Sequence, residues 1–188
     1  MQKQGKQLLI LLALVLAFGA AYIGMRAYND KQEEKEKQEE EAARIYVNDV
    51  RQEDITAFSY QTGETTLHFV KEGDTWTSQE DTAELDQSKI TEMLSAAAPL
   101  EAEGVIEEES QSDPSEYGMD SPLNVITLTT AEGSITLTVG MENPVTGQYY
   151  VTRSGDERLY LVAGSFPSSF EKSLEDLKAQ KEETESES

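Results

Sequence analysis

The sequence predicts an α+β fold: antiparallel β-meanders, each followed by an amphipathic helix, preceded by one N-terminal transmembrane helix. Three observations predict it. Residues 8–25 read LLILLALVLAFGAAYIGM, eighteen residues without a charge, at the lower limit of what crosses a bilayer as a helix. Further on, short runs alternate apolar and polar residues between glycine-containing turns, the pattern of half-buried strands. Two segments break that alternation with apolar residues at helical spacing.

Residues 1–28 are read as the membrane anchor. Lys3 and Lys6 precede the apolar run, Arg26 follows it, and Tyr22 and Tyr28 fall where an aromatic belt sits. A cleavable signal peptide is the competing reading, because Ala17, Gly19, Ala20 and Ala21 leave a cleavage site. Continuation of the apolar run to Met25 favours the uncleaved anchor. Lys3 and Lys6 put the N-terminus in the cytoplasm, although Arg26, Lys31, Lys35 and Lys37 weigh on the other flank. The expectation is a single-pass cell-membrane protein with its C-terminal domain extracytoplasmic.

Residues 29–53 are read as a charged helical stalk. The stretch Asn29 to Arg44 reads NDKQEEKEKQEEEAAR, with no Gly, Pro or apolar residue before Ala42. A helix without an apolar stripe has nothing to pack on. At about 1.5 Å per residue it would lift the domain beyond it roughly 24 Å off the membrane.

The folded domain is expected over residues 54–178. Ile55 to Tyr60, Thr65 to Val70 and Thr75 to Thr77 form a first meander. Asp86 or Ser88 caps a helix with Ile90, Met93, Leu94 and Ala97 on one face, stopped by Pro99. Glu101 to Glu109 holds Val105 and Ile106 and reads as one more strand. Asp113 to Pro122 is dense in turn formers. A second meander has Ile126 and Leu128, then Ile135, Leu137 and Val139, on alternating positions. Gln148–Arg153 and Arg158–Val162 come next as a hairpin. A last helix carries Phe166, Phe170, Leu174 and Leu177 on one stripe. Residues 54–98 and 123–177 share an order that is consistent with a degenerate two-fold repeat. Residues 179–188 are read as a disordered acidic tail.

Composition excludes several function classes. Net charge is -22, from 37 acids against 15 bases, so the surface repels nucleic acid. There is no cysteine, which removes disulfides, thiolate chemistry, zinc–thiolate sites and a lipidated N-terminus.

Glu116-Tyr117-Gly118-Met119-Asp120-Ser121-Pro122 leads into two alternating strands, then Gly140-x-x-Asn143-Pro144, Gln148-Tyr149-Tyr150-Val151 and Leu159-Tyr160-Leu161-Val162. This order resembles bacterial DUF4340 domains, in which a YGLxxP-like turn, an IGxxNP-like loop and a YYV strand recur. Met119 stands where that family more often has leucine, a volume-conserving difference. The resemblance covers roughly residues 54–178 and implies a domain behind one membrane helix, with no established activity. Some members neighbour or are fused to parts of membrane transport systems linked to gliding and polysaccharide handling, which implies an accessory envelope role.

Side-chain chemistry is sparse. His68, the one histidine, lies between Leu67 and Phe69 in a strand and so faces away from them, toward solvent. No nucleophile elbow, P-loop, dinucleotide glycine pattern or HExxH is present. Chance pairs among 37 acids account for carboxylate clusters. Asp113, Glu116 and Asp120 lack calcium-loop spacing. No catalytic, cofactor-binding or metal-binding residue is therefore expected. Trp76, Tyr149, Tyr150 and Tyr160 are the candidate interaction surface. Core packing is the default for each of them, and Tyr149 and Tyr150 must face opposite sides of their strand. The expected role is a non-enzymatic, membrane-anchored extracytoplasmic module that contacts a protein partner in an envelope or transporter assembly. Binding of cell-wall or surface polysaccharide is the alternative.

Overall fold

The structure is a computed structural model. It describes residues 43–106 and 113–180, together with Met25, Arg26, Tyr28, Lys31, Gln32 and Lys35. The chain divides into two units, Met1–Arg44 and Ile45–Ser188. In the first, the described residues are exposed and, apart from Arg44, helical. The apolar run of residues 8–25 lies, except for Met25, outside the described residues, as do residues 181–188. Among the described residues no helix is long and apolar enough to cross a membrane.

The second unit begins with a strand where the stalk was expected to continue. Strand β1 (Ile45–Asn48) pairs antiparallel with β5 (Leu100–Ala102). Val47 is fully buried, and Asn48 is held by donating its amide to Ala97 O at 2.9 Å. The apolar run Ile45-Tyr46-Val47 is too short to show a period, so only its distant partner makes it a strand.

The first meander is β2 (Ile55–Thr62), β3 (Thr65–Glu72) and β4 (Thr75–Ser78). Helix α1 (Gln87–Ala97) comes next, and its N-cap Asp86 accepts from Ser88 N and Lys89 N. Its buried face is Ile90, Met93, Leu94 and Ala97, as its spacing predicts. After β5 the chain bends into β6 (Gly104–Ile106). The second meander is β7 (Asn124–Thr130), β8 (Gly133–Glu142), β9 (Tyr149–Arg153) and β10 (Leu159–Val162). Helix α2 (Ser165–Ser169) comes last.

The two meanders, with β6 added beside β10, form one antiparallel sheet of eight strands, in the order β4-β3-β2-β7-β8-β9-β10-β6. They join through their first strands, with Phe58 opposite Leu128. One face of the sheet carries the core. Phe58, Tyr60, Phe69, Ile126, Leu128, Leu137, Val139 and Val151 are buried there together with α1, Val47 and Phe170. Phe58 and Phe69 stack at 4.6 Å, and Tyr60 meets Phe170 edge-on at 5.6 Å. Ile55 and Phe58 are both buried although three residues apart, because the register shifts between Ile55 and Ala57. A bulge adds a residue and turns the side chains over.

The last helix is much shorter than its apolar stripe predicts. Helix α2 ends at Ser169, and the chain continues to a 3-10 turn at Glu175–Leu177. Phe166, Phe170 and Leu177 are buried as expected, but the backbone between them is held from outside. Asn124 donates to Phe170 O at 2.9 Å, Tyr60 OH to Lys172 O at 2.6 Å, and Ser173 N to Asp176 Oδ2 at 2.9 Å. Ser168 and Ser169 hydroxyls both donate to Ser165 O. Side chains that bond the backbone locally compete with helical bonding. Ala179 N then donates to Glu84 O at 2.9 Å, and Lys178 bridges Asp81 at 2.9 Å, so order continues past Lys178 into the expected tail.

Candidate functional site

The face of the sheet opposite the core is the natural place to look for a contact surface, since neither helix covers it. Alternation puts Leu123, Val125, Thr127 and Thr129 there from the β7 segment. Thr136, Thr138 and Gly140 join them from β8, and Tyr150 and Thr152 from β9. Most of these are half-buried by their neighbours alone. Hydroxyls bond across strands, Thr127 with Thr136 at 3.2 Å and Thr129 with Ser134 at 2.9 Å.

At one end of this face the three turn and strand motifs of the second half converge. The 3-10 turn Pro114–Tyr117 is capped by Asp113, whose carboxylate accepts from Ser115 N. Bonds from the Ser115 backbone and hydroxyl hold the Asp113 carboxyl below the usual carboxylate range. Gly118 then adopts φ 76, in the left-handed region that only glycine enters without strain. The chain comes down directly onto β8: a Cβ at Gly140 would lie 2.0 Å from Tyr117 O and 2.9 Å from Met119 Cε. Residue 140 is therefore glycine because another backbone occupies the place of its side chain.

The Asn143-Pro144 loop completes the cluster. Asn143 Oδ1 accepts from Val145 N at 3.0 Å, and its amide donates to Tyr150 OH at 2.9 Å. The Tyr150 ring lies 4.9 Å from that of Tyr117, tilted by 60°. Thr152 Oγ1 reaches Met119 Sδ at 3.9 Å. Around this base stand side chains the fold leaves in solvent: Leu123 at 49%, Met141 at 48% and Val145 at 90% exposed. An apolar group of this kind, rimmed by polar residues, marks a contact site.

Of the four aromatic candidates, Tyr150 lies at this surface, while Tyr149, also half-buried, is on the opposite face of β9 and packs against the core. Tyr149 OH donates to Glu142 at 3.4 Å. Burial and the nearby Glu142 push its phenol up from the ordinary value. Trp76 and Tyr160 are core residues, 6% and 0% exposed, so they leave the surface. Trp76 packs edge-on against Phe58 at 5.1 Å. Tyr160 OH donates to Asp156 at 2.6 Å, and Asp156 also holds Arg158 through two bonds. The Arg158 guanidinium and then the Tyr160 hydroxyl keep the Asp156 carboxyl far below its ordinary range. Sequence reasoning passed over Tyr117, Met119, Met141 and Val145 as contact residues. Their signal was membership in the turn motifs, which read as structural punctuation.

Other chemistry is thin. His68 is exposed on the outer face, with Nδ1 2.8 Å from Glu80 Oε1 and its backbone N–H on the same oxygen at 2.9 Å. Partial burial pushes the Glu80 carboxyl up, but the bonds from His68 and Ser78 outweigh it and hold it low. A cleft of about 330 Å³ beside Trp76 is lined by Gln52, Lys71, Asp74 and Gln87. Another of about 350 Å³ holds Asp49, Arg51, Asp54 and Glu132, with Arg51 already engaged by Asp54. Among the described residues no three His, Asp or Glu side chains are grouped to hold a metal ion.

Comparison with known proteins gives a family match. No curated protein and no solved structure matches the chain. The family model described as "Domain of unknown function (DUF4340)" matches residues 27–122 and again residues 76–184. Those matches span most of the sequence and include the motif cluster at Tyr117, Gly140 and Tyr150: the chain belongs to the DUF4340 family.

Proposed function

We propose that this chain is a non-enzymatic contact module, anchored in the cell membrane by residues 8–25 and displaying its β-sheet unit outside the cytoplasm, where it binds a protein partner of an envelope or transporter assembly. One observation carries the proposal. The motif segments Tyr117–Pro122, Gly140–Pro144 and Tyr149–Val151 meet in space, and the surface they build exposes Leu123, Met141 and Val145. Tight packing beneath exposed apolar side chains suits a preformed docking site, which loses little freedom when a partner arrives. In the same reading the two meanders are degenerate copies. Their equivalent first strands pair antiparallel, and the family model matches the chain twice in overlapping positions.

Photocrosslinking tests this in intact cells. A photoreactive residue in place of Val145 in the full-length chain should trap a discrete membrane-protein adduct, while one in place of Glu64, in the β2–β3 turn, should not. Absence of an adduct at Val145, with retention of the purified chain on cell-wall glycan, would replace the protein partner by a polysaccharide.

A further inference from the structure

The surface at Met141 and Val145 sits in a part of the chain with a one-sided charge, and this narrows the partner, on the reading that the surface is a contact site. From Ile90 to Thr152 the sequence has eleven Asp and Glu and no Lys, Arg or His. All three motif segments fall inside this stretch. Glu116 and Asp120 are exposed on the connector that carries Tyr117 and Met119, Glu142 is exposed at the end of β8 beside Met141, and Glu103 is exposed and accepts from the Gln148 amide. None of these four acids forms an ion pair among the described residues. Elsewhere in the unit Asp54, Asp81, Asp86, Asp156 and Glu175 each meet an arginine or lysine, whereas Glu64, Glu72, Asp74 and Glu132 form no ion pair among the described residues.

An apolar centre inside an uncompensated acidic rim repels acidic partners and anionic lipid, and draws in positive charge. We infer that the surface formed by Tyr117, Met119, Met141, Val145 and Tyr150 binds a protein segment in which Lys or Arg residues flank an apolar side chain. The apolar side chain packs on Leu123, Met141 and Val145, where the unbranched thioether of Met141 adapts to its shape. The flanking cations face Glu116, Asp120 and Glu142, where they speed encounter and select the partner. A neutral glycan has no use for that rim, and rings tilted by 60° present no common plane for a sugar.

The test is to pan a library of random peptides of about twelve residues against the full-length chain in detergent. The library is first cleared on a variant carrying both Met141→Asp and Val145→Asp. These positions are exposed, so unchanged circular dichroism and Trp76 fluorescence should show that the variant is folded. Peptides that need the surface should be enriched about twofold or more in Lys and Arg beside an apolar residue. Their affinity should fall about tenfold between about 50 and about 300 mM salt, and again about tenfold on combining Asp120→Lys with Glu142→Lys. Surface-dependent peptides without basic enrichment, or indifferent to salt, overturn the cationic partner and leave the contact site standing. Recovery of no surface-dependent peptide overturns both.

Discussion

The side-chain amide of Gln87 lies against the backbone of Trp76, accepting from Trp76 N at 2.8 Å and donating to Trp76 O at 3.0 Å. Strand β4 is an edge of the eight-stranded sheet, and an open edge is a template for another strand. Gln87 stands where that strand would bond, supplying one donor and one acceptor from the first turn of α1.

Replacing Gln87 by alanine should therefore do two things. It should cost about 1–2 kcal/mol of stability, because two partly buried backbone groups lose their partners. It should also raise the rate of concentration-dependent association, measured by light scattering. Loss of stability with no gain in association would mean that the amide is only a packing element.

Gly140→Ala should be far more damaging than alanine at another sheet position. Its Cβ would fall 2.0 Å from Tyr117 O, a backbone atom that cannot swing away. Separation of the connector from β8 is expected, with a loss of roughly 2–4 kcal/mol. Chemical denaturation followed by the fluorescence of Trp76, the single tryptophan, measures it. Since Trp76 lies at the far edge of the sheet, an unchanged midpoint would show that the motif cluster is not coupled to the core.

Acid should act through Asp156. Its folded carboxyl is held well below the ordinary 3.8, so the stability it adds is complete above that value and drains away as pH falls below it. Between about pH 5 and pH 2 the unaltered chain should lose stability more steeply than Asp156→Asn. Parallel curves would remove Asp156 from the account. Tyr160 behaves in the opposite sense. Burial and then the bond to Asp156 push its phenol up to about 12 from 10.0. Its contribution is present below pH 10 and is lost as pH rises toward 12.

Topology is open to a direct measurement because the chain has no cysteine. A single cysteine introduced at Ala131, in the exposed β7–β8 turn, should react with an impermeant maleimide in intact cells. Labelling only after lysis would place the sheet unit in the cytoplasm and reverse the proposed orientation.

Much of this fold is legible locally. The alternation of Ile126 and Leu128, and of Leu67 and Phe69 around an outward His68, comes from a two-residue period and needs no knowledge of partners. Helix α1 announces itself by Asp86 and by the spacing of Ile90, Met93, Leu94 and Ala97. The acidic charge, the absence of thiol chemistry and the turn motifs are likewise written in the sequence. Tertiary structure decided the rest, because strand pairing and burial depend on residues far apart in the chain. Ile45–Asn48 is a strand only because Leu100–Ala102 lies beside it. The stripe from Phe166 to Leu177 is not one helix because Asn124 and Tyr60 claim its carbonyls. Alternation places Tyr150 and Val151 on opposite faces, but it does not say which face α1 will cover. That single fact buried Trp76 and Tyr160 and left Tyr150 on the open side, with Met141 and Val145 exposed nearby at the strand end and loop. Alone, the turn motifs read as chain reversals. Packed on Gly140, they become one surface, because only in three dimensions does the Tyr117 carbonyl occupy the space of a missing side chain.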